Sequence, residues 1–321
     1  MKDSENDNSN LYARLQHILP YHQTLLRDEV RNVAFYAALK RHVTSETRVL
    51  DIGSGTGVWA VVAAKLGAKS VTAIEADSTM IPVIRGHIRA NGVAGKVEVV
   101  HGSSTEVELP HKYDVIVSET IGNQAFDEGI ISTLIDAKKR FLSTDGVLIP
   151  QTVSLIAAPA HFRTATQMPV GVPVDTDFFN NLSYNLTALV VEKEHLAILG
   201  EPVCLLRVDL TAIDSLPSFQ GLTGRWNLSA AVNSNVIAVW AHSDLAEGIH
   251  LDTLKTTSWP SVAYPFRPLD QKEGEIEFTL NLDAVPLLWT VGIAGQAAQA
   301  YSPVFAYTKM MMETSLTAVQ D

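Results

Sequence analysis

The stretch Val49-Leu50-Asp51-Ile52-Gly53-Ser54-Gly55-Thr56-Gly57 constrains this chain more than any other. Arg48 to Ile52 is a short apolar run of strand length that ends on a glycine cluster, and Val58 to Leu66 follows with helical character. Three glycines at alternate positions in a strand-to-helix turn let the backbone approach a ligand, because no Cβ intervenes. The helix start behind them presents N–H groups that lack a helical partner. The next predicted strand, Ser70 to Ile74, runs into Glu75. An acid at that position can accept hydrogen bonds from a ribose diol.

Two ligand classes use such a turn. A dinucleotide fingerprint is G-x-G-x-x-G, whose last glycine packs helix on strand. Here the spacing is G-x-G-x-G, with Val58 where that last glycine would stand and Asp51 just before the turn. An acid there suits a ligand that carries an ammonium group and no pyrophosphate. S-adenosyl-L-methionine has an ammonium and also a sulfonium. The alternative is a glycine turn that binds nothing.

Further along, helical and strand-like segments alternate as far as Pro150. Ile81 to Asn91 reads as a helix, with Pro82 in its first turn. Val97 to Val100 and Tyr113 to Val117 read as strands, the second running into Ser118-Glu119. Gly129 to Phe141 reads as a helix closed by a turn at Thr144-Asp145-Gly146, before a fifth strand or link at Val147 to Pro150. This alternation predicts a parallel, doubly wound sheet of the Rossmann-like α/β class, with ligands beyond the carboxyl ends of the strands. Gly53, Glu75, His101 with Gly102, and Ser118 with Glu119 all fall there.

Ahead of this unit, Met1 to Asn10 is polar and acidic and is expected to be a disordered tail. Leu11 to about Val43 has helical spacing in two segments, with Pro20 as the expected break. Past Pro150 the runs turn strand-like: Val153 to Ala157, Val203 to Leu210, Trp226 to Val232, Val236 to Trp240, Ile276 to Leu282 and Leu288 to Ile293. They predict a mainly β barrel-like or sandwich domain. The excursion Phe162 to Leu199 is too long for a plain loop in a compact domain and is read as a functional or an interaction element. The expected organisation is a helical segment at 1–43, a Rossmann-like donor-binding domain at 44–150, and a barrel-like domain at 151–321 carrying an arm near 162–199.

With 321 residues, 46% hydrophobic and 18% charged, the chain is globular in composition. A net charge of -11 disfavours nucleic acid as a partner and favours basic substrates. No apolar run approaches the ~20 residues of a membrane span and no signal core opens the chain, so a cytoplasmic protein without membrane association is expected. The single cysteine, Cys204, excludes an internal disulfide and is expected in the core. No H-x-x-x-H pair stands on a helix, so no metal site is expected, and His22, His101 and His242 read as structural or surface residues. There is no G-x-S-x-G nucleophile elbow.

Two acids then stand out. Glu119 and Glu128 bracket the loop after the fourth strand, with Asp127 beside the second. Carboxylates bind a planar guanidinium in a bidentate fork. A pair of them beside a sulfonium methyl would hold such a cation and orient one nitrogen. The alternative is that Glu119 caps a helix and Glu128 is surface. Likewise, Arg27-Asp28-Glu29-Val30-Arg31 reads either as a solvated charged face or as the origin of an Arg31 fork that reaches a carboxylate.

Taken together these residues resemble the protein arginine methyltransferases, from about Tyr12 to the C-terminus and most closely over His22 to Pro150. His22-Gln23-Thr24-Leu25-Leu26-Arg27-Asp28-Glu29-Val30-Arg31 is similar to the family's helix preceding the donor site. Val49 to Gly57 is similar to its first motif, and Ser118-Glu119 with Glu128 to its double-glutamate hairpin. The resemblance implies that Arg31 holds the donor's carboxylate and Glu75 its ribose. It also implies that Asp51, Gly53, Gly55 and Gly57 form the turn, that Ser104 and Thr105 lie on the adenine side, and that Glu119 and Glu128 grip the acceptor. Phe162 to Leu199 falls where the family has its dimerisation arm, implying a homodimer.

Four departures stand beside it. The family's Trp-Met-Gly after the first glutamate is Thr120-Ile121-Gly122 here, and its Thr-His-Trp loop is Thr257-Ser258-Trp259. Thr105 stands where an acid is usual, and Tyr12 alone remains of a tyrosine-rich helix. The donor side is kept and the acceptor side is remodelled. The expected activity is methyl transfer from S-adenosyl-L-methionine to a guanidine or other amine nitrogen, on a protein, peptide or metabolite. The alternatives are a small-molecule N- or O-methyltransferase on the same scaffold and a non-catalytic donor-binding scaffold.

Overall fold

A computed structural model of the chain describes residues 2–163, 171, 173–227, 229, 233–269, 271 and 273–303. The chain divides into two compact units, the first formed by Met1–Val153, Val208–Leu216 and His242–Trp259, the second by the rest.

In the first unit, helices α1 (Lys2–Arg27) and α2 (Glu29–His42) lead into a five-stranded sheet. Its strands are β1 (Arg48–Ile52), β2 (Ser70–Glu75), β3 (Val97–His101), β4 (Tyr113–Ser118) and β5 (Leu142–Ile149), in spatial order β3-β2-β1-β4-β5. All four pairings are parallel. Helices α3 (Val58–Lys65), α4 (Ile81–Ala90) and α5 (Ile130–Arg140) connect them. Strand β1 is buried at four of its five positions, as a central strand covered on both faces must be.

The order reverses between β1 and β4, and the register there decides where a ligand would meet the sheet. Ile52 pairs with Ile74 on one side and with Ser118 on the other. The next residues of the three strands, Gly53, Glu75 and Glu119, therefore leave the sheet side by side at the switch point, the usual binding crevice of open α/β sheets.

Several local expectations change. Backbone is helical from Lys2, where a disordered tail was expected over Met1 to Asn10. Pro20 lies inside α1, and the break falls instead at Asp28, whose extended backbone (φ -76°, ψ 93°) lets its carboxylate cap α2 by accepting the Arg31 N–H. That cap offers the orphan donors of the first turn a partner, which Pro20 cannot. The turn expected at Thr144-Asp145-Gly146 is part of β5, which pairs with β4. Among the described residues no helix is long and apolar enough to cross a membrane.

The remainder of the chain is mainly β, as expected. A seven-stranded sheet contains β6 (Thr152–Phe162), β7 (Ala188–Val190), β8 (Leu196–Ile198), β9 (Val203–Asp209), β11 (Val236–Ala246), β12 (Ile249–Asp252) and β13 (Ser261–Pro265). A four-stranded antiparallel sheet contains β10 (Leu222–Asn227), β14 (Glu275–Asn281), β15 (Leu288–Ile293) and β16 (Gln299–Tyr301). In the second unit an aromatic cluster joins β13 to the four-stranded sheet. The Tyr264 ring lies 5.5 Å from that of Phe278 and 5.3 Å from that of Trp289, which stacks on Tyr301 at 5.7 Å. Of the expected strand Trp226 to Val232, Trp226 and Asn227 lie in β10, and residues 228 and 230–232 lie outside the described ones. Cys204, expected in the core, is exposed, on a strand in which Val208 alone is buried. The excursion after Phe162 contains a short helix, α6 (Asp177–Ser183), with residues 164–170 and 172 outside the described ones.

Candidate active site

A cavity in the first unit opens over the switch point and is lined by Tyr21, His22, Arg31, Gly53, Gly55, Glu75, Asp77, Glu119 and Glu128, together with Trp59 and Thr120. The glycine turn forms its floor. Gly53, Gly55 and Gly57 adopt φ of 69°, 53° and 77°, the left-handed region that favours glycine. A Cβ on Gly55 would stand 2.6 Å from Cε1 of His22, and one on Gly53 would stand 2.9 Å from the Thr120 methyl. Gly57 caps α3 without a side chain.

Glu75 is held by backbone. One carboxylate oxygen accepts from Gly55 N at 2.7 Å and the other from Asp77 N at 2.7 Å. This ties the end of β2 to the turn after β1, with the carboxylate still on the cavity wall. Asp51 is buried behind the turn, with Oδ2 accepting from Ala60 N at 3.0 Å and Oδ1 without a partner. Desolvation, with Glu75 and Glu119 nearby, pushes its carboxyl up to about 7. A buried, half-partnered acid of this kind is stabilised in charged form by a cation at the site.

The charged cluster on α2 is not a solvated face. Asp28 and Arg31 are both buried. Burial opposes the charge on Asp28. Hydrogen bonds from Ser258 Oγ (2.6 Å), Ser258 N (2.8 Å), Thr257 N (2.9 Å) and Arg31 N (3.1 Å) outweigh it and lower the carboxyl below its usual range. Ser258 thus fills by a hydroxyl and an amide the position where the family resemblance expects a histidine. Arg31 is spread between Trp59 and Trp259, its Cζ 5.3 and 5.7 Å from the two ring centroids. Its Nε donates to Glu119 Oε2 at 3.0 Å, and Nη2 pairs with the same oxygen. Nη1 donates to Leu25 O and Asn32 Oδ1.

Glu119 is buried, which raises its carboxyl above the usual range, while Arg31 opposes the rise. Glu128 stands at the mouth of the same cavity. Desolvation first, then the charges of Glu119 and Asp127, push it up to about 7. Asp127 turns away and accepts from Gln124 N at 3.0 Å. The loop between the two glutamates is compact: Gly122 bridges to Ala125, and Trp259 Nε1 donates to Ile121 O at 2.6 Å.

The fold therefore gathers Arg31, Gly53, Gly55, Glu75, Glu119 and Glu128 at one cavity, with Asp51 and Gly57 just behind its wall. Ser104 and Thr105 do not line it. Their segment is tied to α5 by Arg140, which donates to the carbonyls of Ser104 and Val107. His22, read as structural or surface, is part of the wall. Trp59, Tyr21 and Asp77 also escape the sequence reading. The glycines that require His22 and Thr120 to lie close were visible, but nothing local marks which side chains cover them. Four carboxylates (Glu75, Asp77, Glu119, Glu128) line the cavity with the Arg31 guanidinium, while Asp77 also pairs with Arg14 at 2.7 Å. Such a wall attracts cations and repels phosphates.

A family model described as ribosomal protein L11 methyltransferase (PrmA) matches residues 35–153. Protein arginine N-methyltransferase PRMT10 of Oryza sativa subsp. japonica is 33% identical over 206 residues, covering 60% of this chain and 53% of that protein. Its namesake in Arabidopsis thaliana is 38% identical over 143 residues, covering 43% of this chain and 37% of that protein. The matched segment thus spans about half the length of these curated relatives. Among solved structures, the Trypanosoma brucei PRMT1 enzyme-prozyme heterotetrameric complex with AdoHcy aligns with a TM-score of 0.72 at 22% identity, over 87% of this chain and 96% of that one. The open-conformation structure of Arabidopsis thaliana protein arginine methyltransferase 10 aligns with a TM-score of 0.71, over 89% of this chain and 98% of that one. At 22% identity these two likenesses speak to the fold. Over the matched segment the chain is similar in sequence to protein arginine N-methyltransferases, and its fold is like that of two solved members of that family.

Proposed function

We propose that this chain is an S-adenosyl-L-methionine-dependent methyltransferase that acts on a guanidine or another basic nitrogen. The observation that carries the reading is a single acidic cavity in which the glycine turn and Glu75 adjoin both Glu119 and Glu128. The residues suit the donor: glycines whose Cβ atoms would clash, an acid fixed at the end of β2, and a buried carboxylate with one oxygen unpartnered. When bound, the donor supplies a sulfonium methyl, which an acceptor's lone pair displaces with sulfur leaving as a thioether.

The chain's own part is positional. Gly53, Gly55 and Gly57 leave room for the donor at the turn, Asp51 and Glu75 offer negative partners, and Arg31, paired with Glu119, is the guanidinium on the cavity wall that a donor carboxylate would share. Glu119 and Glu128 hold the cationic acceptor and aim one nitrogen. Held geometry of this kind is worth roughly 7–11 kcal/mol of barrier. Glu128, with its carboxyl near 7, is suited to take the proton that nitrogen sheds.

A small-molecule acceptor is the second reading. It is favoured by Thr120-Ile121-Gly122, a segment that brings no aromatic side chain to the residues after Glu119. We also infer a homodimer. Val174, Phe179, Leu186, Leu189 and Val191 are all exposed on the segment where the family resemblance puts the dimer arm. Sedimentation would show two copies, and a lone copy at micromolar concentration would remove this part of the reading.

The test offers labelled donor with free arginine, arginine peptides and small guanidines. Gly55→Val should lose donor affinity in calorimetry, while Glu128→Gln keeps it and loses transfer. Full turnover of a guanidine by the Glu119→Gln, Glu128→Gln double variant would defeat the reading. Donor binding with no transfer to any acceptor would leave a donor-binding scaffold.

A further inference from the structure

The hairpin of β11 and β12 carries chemistry that the methyl-transfer reading does not use. His242 and Asp244 lie two residues apart on β11 and so share a face. Strand β12 places His250 directly opposite Asp244. His250 Nδ1 lies 2.6 Å from Asp244 Oδ1, and His242 Nε2 lies 3.7 Å from the same oxygen. The three ligand atoms fall within 4.8 Å of one another. The two imidazoles face each other, their centroids 5.9 Å apart and planes 25° from parallel.

The carboxylate between them is fixed from behind. Asp244 Oδ2 accepts from the buried Thr152 hydroxyl at 2.8 Å, and the Asp244 carbonyl accepts from Gln151 N at 2.8 Å. A register shift between Asp244 and Ala246 marks a bulge at this point. Bulges re-aim side chains and are features rather than defects. Exposure grades from 17% for the Asp244 side chain through 32% for His242 to 55% for His250, so one side of the cluster is open to solvent. A plain Asp–His hydrogen bond accounts for His250. It does not account for His242, whose nitrogen is too far from the oxygen for such a bond.

We propose that His242, Asp244 and His250 bind a divalent transition ion, with zinc the best match. Two imidazoles and one carboxylate are a borderline donor set, and three protein ligands leave a fourth position for water. Zinc bonds to nitrogen and oxygen are near 2.0–2.2 Å, so tetrahedral ligand atoms stand roughly 3.3 Å apart. The observed 2.6 and 3.7 Å bracket that spacing, and sub-ångström shifts of the rings reach it. Thr152 acts as the outer partner that orients the ligating carboxylate. None of the three residues lines the cavity at the sheet switch point, so this site stands whether or not the methyltransferase reading does.

The test uses the full chain after chelation and dialysis, titrated with zinc by calorimetry and with cobalt as an absorption reporter. One saturable zinc site of micromolar or tighter affinity is expected, with a tetrahedral cobalt band. His250→Asn replaces an exposed side chain and leaves the fold intact. It and His242→Asn should weaken zinc by about a hundredfold, and Thr152→Val by roughly tenfold to a hundredfold. Zinc should raise the melting midpoint of the parent and not that of His250→Asn. Glu192→Gln with His195→Asn removes the other trio of possible ligands found among the described residues, Glu192, Glu194 and His195, and should change nothing. No saturable binding at micromolar free zinc overturns the proposal. So does binding that survives His242→Asn and His250→Asn, or binding lost with Glu192 and His195.

Discussion

Arg31 and Glu119, 88 positions apart in sequence, form an ion pair almost wholly removed from water, with side chains 4% and 8% exposed. Glu119→Ala leaves the guanidinium buried beside Trp59 and Trp259 without its carboxylate. Breaking a buried pair from one side costs about 3–5 kcal/mol. Urea denaturation should show that loss, and Glu119→Gln, which keeps one acceptor, should show less. A loss under 1 kcal/mol, the range of exposed pairs, would mean that the pair is solvated.

Asp28 ties α2 to the 257–258 loop through one oxygen that takes three hydrogen bonds. Ser258→Ala removes one bond to a charged acceptor and should cost about 1.5–3 kcal/mol. Asp28→Ala removes the cap as well and orphans several donors, so it should cost more, at least about 2 kcal/mol. A double-mutant cycle between the two positions should give a coupling clearly above zero. Additive effects would show that the loop and helix are held by other contacts.

Gly55→Ala should be harmful twice over. The left-handed backbone at φ 53° costs an alanine about 1–2 kcal/mol, and its methyl would stand 2.6 Å from the His22 ring. The melting midpoint should fall, and the His22 ring resonances should shift. Gly92→Ala has a comparable left-handed backbone, at φ 69°, and open space around it. It should lower the midpoint but leave His22 undisturbed, which separates strain from collision.

Asp51 makes stability fall as pH rises through the mildly acidic range. Its carboxyl is at about 7 in the folded chain and near 3.8 when exposed. Between those values the native state binds the extra proton, so the unfolding free energy decreases with increasing pH. Glu128, also raised to about 7, acts in the same sense. Asp28, lowered, acts in the opposite sense and only in stronger acid. His22 and His42, lowered by burial, act in the opposite sense over part of this range, so the comparison is between chains: the denaturation midpoint of the parent relative to that of Asp51→Asn should drop from pH 5 to pH 7.5. An unchanged slope in Asp51→Asn would place the titration elsewhere.

The local code was enough for the parallel sheet, its glycine turn and the two acids at its edge. Alternating apolar runs, glycines and chain order are local properties, and a strand that ends in G-x-G-x-G before a helix has few other ways to fold. Glu75 and Glu119 were readable for the same reason, because each follows a strand whose carboxyl end faces the crevice. Tertiary structure decided what surrounds them. Pairing across 88 positions buried Arg31 against Glu119, although the pattern around Arg31 fits a charged surface equally well. The helix broke at Asp28 rather than Pro20 because three donors from a loop 229–230 positions away converge there. His242, Asp244 and His250 became neighbours through antiparallel register and a bulge, and a search for helical histidine spacing passes over them. Strand pairing and side-chain burial are long-range outcomes of packing, and local periodicity carries no record of the partner.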